Sequence, residues 1–138
     1  QLHRAPVEVI ADGVHLDGGT VQLLFATVGP DHLALVSDAM AASGLPDGAY
    51  TLGGLDVTVS GRAARLTGNG SLAGGVSTLL DQVRWLVGEL GIPLADAVRA
   101  ASATPARALA LTGVGTLAEG QRADVVVVDS GLTAKRVL

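Results

Sequence analysis

Cysteine is absent from the 138 residues, which rules out a disulfide framework and any thiolate metal site. Aromatic residues make up only 2%, so the core has to be built from Leu, Val and Ala. No apolar run approaches the roughly 18 residues needed to cross a bilayer. The opening Gln1-Leu2-His3-Arg4 is no signal peptide. A basic cluster is missing as well. The nine Lys and Arg are scattered from Arg4 to Arg136 and the net charge is −4, which argues against a nucleic-acid or anionic-membrane surface. A soluble, cytoplasmic protein with no nucleic-acid or membrane partner is the expectation. There are five Pro, the 19 Gly sit mainly in pairs and turns rather than in a low-complexity tract, and the length suits one folded domain. The chain starts without Met and its first periodic element follows at once, as in an internal piece of a longer polypeptide or after a trimmed N-terminus.

Val7-Glu8-Val9-Ile10-Ala11 reads as a short strand ending at Asp12-Gly13. Asp17-Gly18-Gly19 suits a cap and turn, after which Val21, Leu24, Phe25 and Val28 recur on one face of a helix that Gly29-Pro30 stops. Leu33 to Ser37 forms the next strand, so the first 48 residues hold a strand–helix–strand unit with parallel neighbours. The texture then changes. Tyr50-Thr51-Leu52, Leu55 to Val59 and Arg62 to Leu66, joined by Gly53-Gly54 and Ser60-Gly61, make an antiparallel meander within 49–70.

Ser71 to Gly75 reads as a flexible, Gly-rich loop. Ser77 then caps a helix lined by Leu79, Leu80, Val83, Leu86, Val87 and Leu90 and ended by Gly91, with Trp85 packing on it. Pro93 opens a second helix burying Leu94, Ala97, Val98 and Ala101, and Thr104-Pro105 a third through Leu109, completing a helical block over 71–112. In 113–138, Val125 to Val128 reads as a fully buried strand and Lys135 to Leu138 as a last edge strand. The fold class is α/β. Two parallel strands cannot close a barrel, which needs eight and typically about 250 residues, so the architecture looks cut.

The segment Leu33-Ala34-Leu35-Val36-Ser37-Asp38-Ala39-Met40 carries the clearest chemical signal. A buried strand that delivers a carboxylate at its C-terminal end is how α/β barrels build active sites. Asp38 reads either in that way or as a cap for the next turn. His15 follows the first strand as Asp38 follows the second. Parallel strands about 4.8 Å apart would bring both to one rim, where histidine and carboxylate can share proton transfer or polarise a carbonyl. The other reading of His15 is a loop histidine bonded to backbone. Asp12 before Gly13 reads as a turn residue or as part of a pocket wall. His32 belongs on the opposite rim, His3 has no nearby partner, and neither has metal-ligand spacing to another His, Asp or Glu. Ser71-Leu72-Ala73-Gly74-Gly75 is either a connector or a loop whose backbone amides approach a ligand.

Val9-Ile10-Ala11-Asp12-Gly13-Val14-His15, Leu35-Val36-Ser37-Asp38-Ala39, Gly70-Ser71-Leu72-Ala73-Gly74 and Ala103-Thr104-Pro105-Ala106-Arg107-Ala108 stand in one order. In that order the chain resembles the C-terminal portion of the N-acetylglucosamine-6-phosphate deacetylases of the amidohydrolase superfamily. The closing Gly115-x-Leu117-x-x-Gly120-x-x-Ala123-Asp124-Val125-Val126 is shared by many amidohydrolases and is less specific. The resemblance implies the C-terminal part of a metal-dependent (β/α)8 barrel joined to a small β-sandwich. It further implies hydrolysis of an acetamide by a metal-bound water, with glucosamine 6-phosphate and acetate as products.

Asp38 matches the catalytic aspartate that takes a proton from the water and gives one to the leaving amine. His15 matches the histidine that binds substrate, with Asp12, Gly13 and Val14 along the same wall. Leu72, Ala73 and Gly74 match a substrate-contacting loop. The divalent metal, zinc or similar, is implied to be bound by a glutamate and two histidines upstream, so no metal ligand is assigned here. Gly75 stands where the family often has serine. The partner implied is a small acetylated amino-sugar phosphate, and a homodimer is implied for the assembly. Two other readings stay open: an amidohydrolase acting on a different amide or cyclic amide, and an inactive fragment serving as an interaction module.

Overall fold

Two three-residue strands, β1 (Val7–Val9) and β2 (Leu33–Leu35), pair in parallel in register Val7↔Leu33 to Val9↔Leu35. They form the floor of the site in a computed structural model that describes residues 5–138. His3 therefore lies outside the described residues. Between the strands runs α1 (Gly18–Thr27). Asp17 caps it, accepting from the Thr20 N–H at 3.0 Å, and it buries Val21 and Phe25. The expected strand–helix–strand unit is present, with both strands shorter than the apolar runs predict.

β3 (Gly48–Leu52), β4 (Leu55–Ser60) and β5 (Ala63–Leu66) form the antiparallel meander. Alternation sets its inner face: Val57, Val59 and Ala64 are buried with Met40 and Ala42, making a second, smaller core. Three helices follow, α2 (Leu79–Gly88), α3 (Leu94–Ala101) and α4 (Ala103–Ala108). The main core joins Val9, Ala11, Leu33 and Leu35 to Val21 and Phe25 on one side and to Val83, Leu86, Ala97 and Ala100 on the other. β6 (Val126–Val128) and β7 (Ala134–Val137) pair antiparallel as a separate ribbon. Parallel strands flanked by helices, with antiparallel ribbons beside them, make the chain α/β. Among the described residues no helix is long and apolar enough to cross a membrane.

Several local expectations are corrected. Thr78, not Ser77, caps α2: Thr78 is extended and forms a reciprocal box with Asp81, whereas Ser77 is buried beneath the helix. α3 buries Ala97 and Ala100 but leaves Leu94 and Val98 each 46% exposed, because the small side chains are the ones that let the helix approach β2. Val125 to Val128 is not fully buried. β6 has one antiparallel neighbour, and Val126 and Val127 are exposed. Ser71 to Gly75 is tied down rather than loose, through bridges from Leu72 to Arg65 and from Gly75 to Ala39.

Candidate active site

β1 hands over to a tight turn at Asp12. Its buried carboxylate faces forward along the chain: Oδ1 accepts the N–H groups of Val14 and His15 at 2.8 and 2.9 Å. The other oxygen, Oδ2, lies 2.9 Å from His15 Nδ1. Burial pushes the Asp12 pKa upward, but the bonds from the His15 and Val14 backbone and the attraction of the His15 ring outweigh it and hold the carboxyl below its ordinary value. An ionised Asp12 fixes the proton on Nδ1 and turns Nε2 outward. Nε2 lies 3.8 Å from Asp38 Oδ2. Asp12, His15 and Asp38 thus form one line on the rim above β1 and β2, which is where the strand-end argument put His15 and Asp38.

Asp38 carries a local cost. Its φ is 48°, a left-handed backbone that side chains other than glycine adopt sparingly, Asp and Asn most readily. The segment after the meander holds it there. Gly75 N–H donates to the Asp38 carbonyl at 2.6 Å and Met40 N–H to the Gly75 carbonyl at 2.9 Å. A Cβ on Gly75 would stand 2.2 Å from the Ser37 carbonyl oxygen, so the serine often found here in the resembling family does not fit this close approach. Gly74, at φ 96°, lies against the Asp38 carbonyl and Met40, while Ala73 N–H donates to the Ala64 carbonyl at 2.9 Å. Gly74 is therefore brought beside Asp38, whose carboxylate is exposed, while Leu72 and Ala73 run along β5 against Arg65 and Ala64. Gly13 (φ 74°) and Val14 form the turn between Asp12 and His15. His32 stands at the entry of β2, away from this rim.

Three neighbours gave no functional signal in the sequence. Trp85 lies directly under the turn, so close that a Cβ on Gly13 would meet its ring at 2.9 Å. Arg62, at the β4–β5 turn, stands over the Trp85 ring and donates to the Asp12 carbonyl. Gln82 of α2 is fully buried and bonds to both strand ends. An arginine after a turn glycine and a glutamine on a leucine-rich helix carry no pattern that points at a site. Only the fold brings them there.

A metal set is a different matter. Among the described residues no three His, Cys, Asp or Glu side chains are grouped to hold a metal ion. Asp12 spends both oxygens within its own turn, which leaves His15 Nε2 and Asp38 as the free donors. The residues present do not fit a metal centre by themselves.

Residues 2–137 match the model of the amidohydrolase family. Two Escherichia coli relatives, from strains K12 and O157:H7, are each 41% identical over 135 residues, 97% of this chain. Both are named for N-acetylgalactosamine-6-phosphate deacetylase, the K12 protein provisionally. The chain spans 80% of the K12 relative but only 35% of the O157:H7 one. A solved N-acetyl-D-glucosamine-6-phosphate deacetylase mutant from Mycobacterium smegmatis, in complex with N-acetyl-D-glucosamine-6-phosphate, superposes with a TM-score of 0.89 at 43% identity. That likeness covers 96% of this chain and 36% of the other. By the family match the chain belongs to the amidohydrolase family.

Proposed function

We propose that this chain carries the acid–base and sugar-binding part of a metal-dependent deacetylase that acts on N-acetylated amino sugar 6-phosphates. The observation that carries the reading is the Asp12–His15–Asp38 line, ending in a carboxylate held at φ 48° on the rim of the parallel strands. The names of the relatives supply the substrate class. In this reading residues 1–48 are the last two βα units of a (β/α)8 barrel and 49–70 an inserted meander. The segment 71–112 is the helical block completing the barrel, and 113–138 the closing strands of a β-sandwich.

Amide hydrolysis needs a base for the attacking water and an acid for the departing amine. Asp38 does both: it accepts the proton as the water oxygen bonds to the acetyl carbon, then returns it to nitrogen as the C–N bond breaks. His15, its Nδ1–H held by Asp12, presents Nε2 to a sugar oxygen or the acetyl carbonyl. Gly13, Val14 and the Leu72–Gly74 segment form the walls. The metal that the resemblance implies is held by residues other than those described here. A homodimer belongs to the same reading, and light scattering of the purified protein tests it.

The decisive assay, on the protein expressed from its own coding sequence rather than on the 138-residue polypeptide alone, is acetate release from N-acetylglucosamine 6-phosphate and its C4 epimer, since relatives are named for each. Cyclic amides complete the panel. Turnover of either sugar phosphate supports the reading, and turnover of cyclic amides alone overturns it in favour of a different amidohydrolase. Turnover of none leaves the interaction-module reading.

A further inference from the structure

The ladder between β1 and β2 advances in steps of two residues. Val7 N–H donates to the His32 carbonyl at 2.8 Å, and Val36 N–H to the Val9 carbonyl at 3.0 Å. The same repeat would next join the Ala11 N–H to the Val36 carbonyl. Instead, Gln82 stands between them. Its Oε1 accepts from Ala11 N–H at 3.1 Å and its Nε2 donates to the Val36 carbonyl at 3.0 Å. A second, longer contact of 3.5 Å runs from Nε2 to Ser77 Oγ.

One planar side-chain amide thus replaces a backbone rung, acceptor to donor and donor to acceptor. It is fully buried, in a helix face otherwise given to Val83 and Leu86, so its cost of burial is met by these bonds alone. Both strand ends are satisfied, yet they are spread by the thickness of an amide. Ala11 immediately precedes Asp12, and Val36 lies two residues before Asp38.

We propose that Gln82 is a positioning residue, a wedge that parts the two strand ends and sets the 3.8 Å separation of His15 Nε2 from Asp38 Oδ2. The proposal rests on the reading of Asp38 as the acid–base group and His15 as its substrate-binding neighbour. A shorter or apolar side chain at this position either lets the strands zip by one more rung or leaves two buried polar groups unpaired.

The test uses the protein as expressed from its own coding sequence. Gln82→Met keeps the length and removes the amide. Its kcat should fall roughly 10- to 100-fold, as displacements near 1 Å do, with KM nearly unchanged and a shifted pH profile of kcat. Gln22→Met is the control, since it removes a similar side-chain bond, Nε2 to the Leu90 carbonyl at 2.9 Å, away from the rim. It should leave kcat and its pH profile as they are. Wild-type kcat and pH profile in Gln82→Met overturn the wedge while leaving the deacetylase reading intact.

A second measurement needs no variant to fold. Scalar couplings across hydrogen bonds in the wild-type protein should link Gln82 Nε2 to the Val36 carbonyl carbon. A coupling from the Ala11 amide to that carbon would overturn the wedge, and either result holds even if acetate release fails altogether.

Discussion

At the scale of single residues, the site turns on a backbone that only a few side chains tolerate. A left-handed φ at a residue other than glycine costs on the order of 1 kcal/mol or more, and here it aims Asp38 at the rim that His15 shares. Asp38→Asn keeps the shape and the tolerance for that φ while losing the proton acceptor. In the protein expressed from its own coding sequence, acetate release should drop about 10²- to 10⁴-fold, with the metal content unchanged by elemental analysis. Near-normal turnover would remove Asp38 from the mechanism.

Asp12 yields a second expectation. Its folded pKa lies below the unfolded one, so the stability it adds is fully present above the ordinary carboxylate range and is lost as pH falls through the lowered value. Unfolding measured from neutral pH to below pH ~4 should show this acid limb, and it should be blunted in Asp12→Asn. An unaltered limb in the variant would mean that Asp12 contributes nothing to it. Asp81 adds to the limb of both proteins. Burial raises its pKa, and the Thr78 bonds together with Arg84 outweigh it.

At the scale of elements, two substitutions separate folding from positioning. Thr78→Ala breaks the box that starts α2 and should cost about 1 kcal/mol in thermal or denaturant unfolding, with little change in turnover. Gly75→Ala puts a Cβ into the Ser37 carbonyl oxygen, so the bridge to Ala39 must shift. Both stability and turnover should fall, and a fully active, equally stable Gly75→Ala protein would show that this approach does not hold Asp38.

Much of this scale was legible in the sequence. Helical spacing marked α1, and glycine pairs marked the meander turns. The strand-end logic placed His15 and Asp38 together. What stayed hidden depends on neighbours far along the chain. Gln82 looks like an interruption of an apolar face until Ala11 and Val36 arrive on either side of it. The run Val125 to Val128 reads the same whether one face of the strand or two are covered. The structure covers little of it.

At the scale of the whole molecule, the chemistry is divided between what these residues supply and what they do not. A metal centre needs three or more protein donors. The candidate rim offers two, His15 Nε2 and Asp38, because Asp12 is consumed by its own turn and by His15 Nδ1. Two donors 3.8 Å apart hold a divalent ion only weakly against water. The 138-residue polypeptide expressed by itself should therefore bind no stoichiometric zinc in equilibrium dialysis and release no acetate. A longer protein carrying the same residues together with upstream ligands should do both. Tight, stoichiometric zinc in the 138-residue polypeptide would make His15 and Asp38 metal ligands and take His15 away from substrate binding. The acid–base role of Asp38 would then rest on the one oxygen that a monodentate carboxylate leaves free to face the amine.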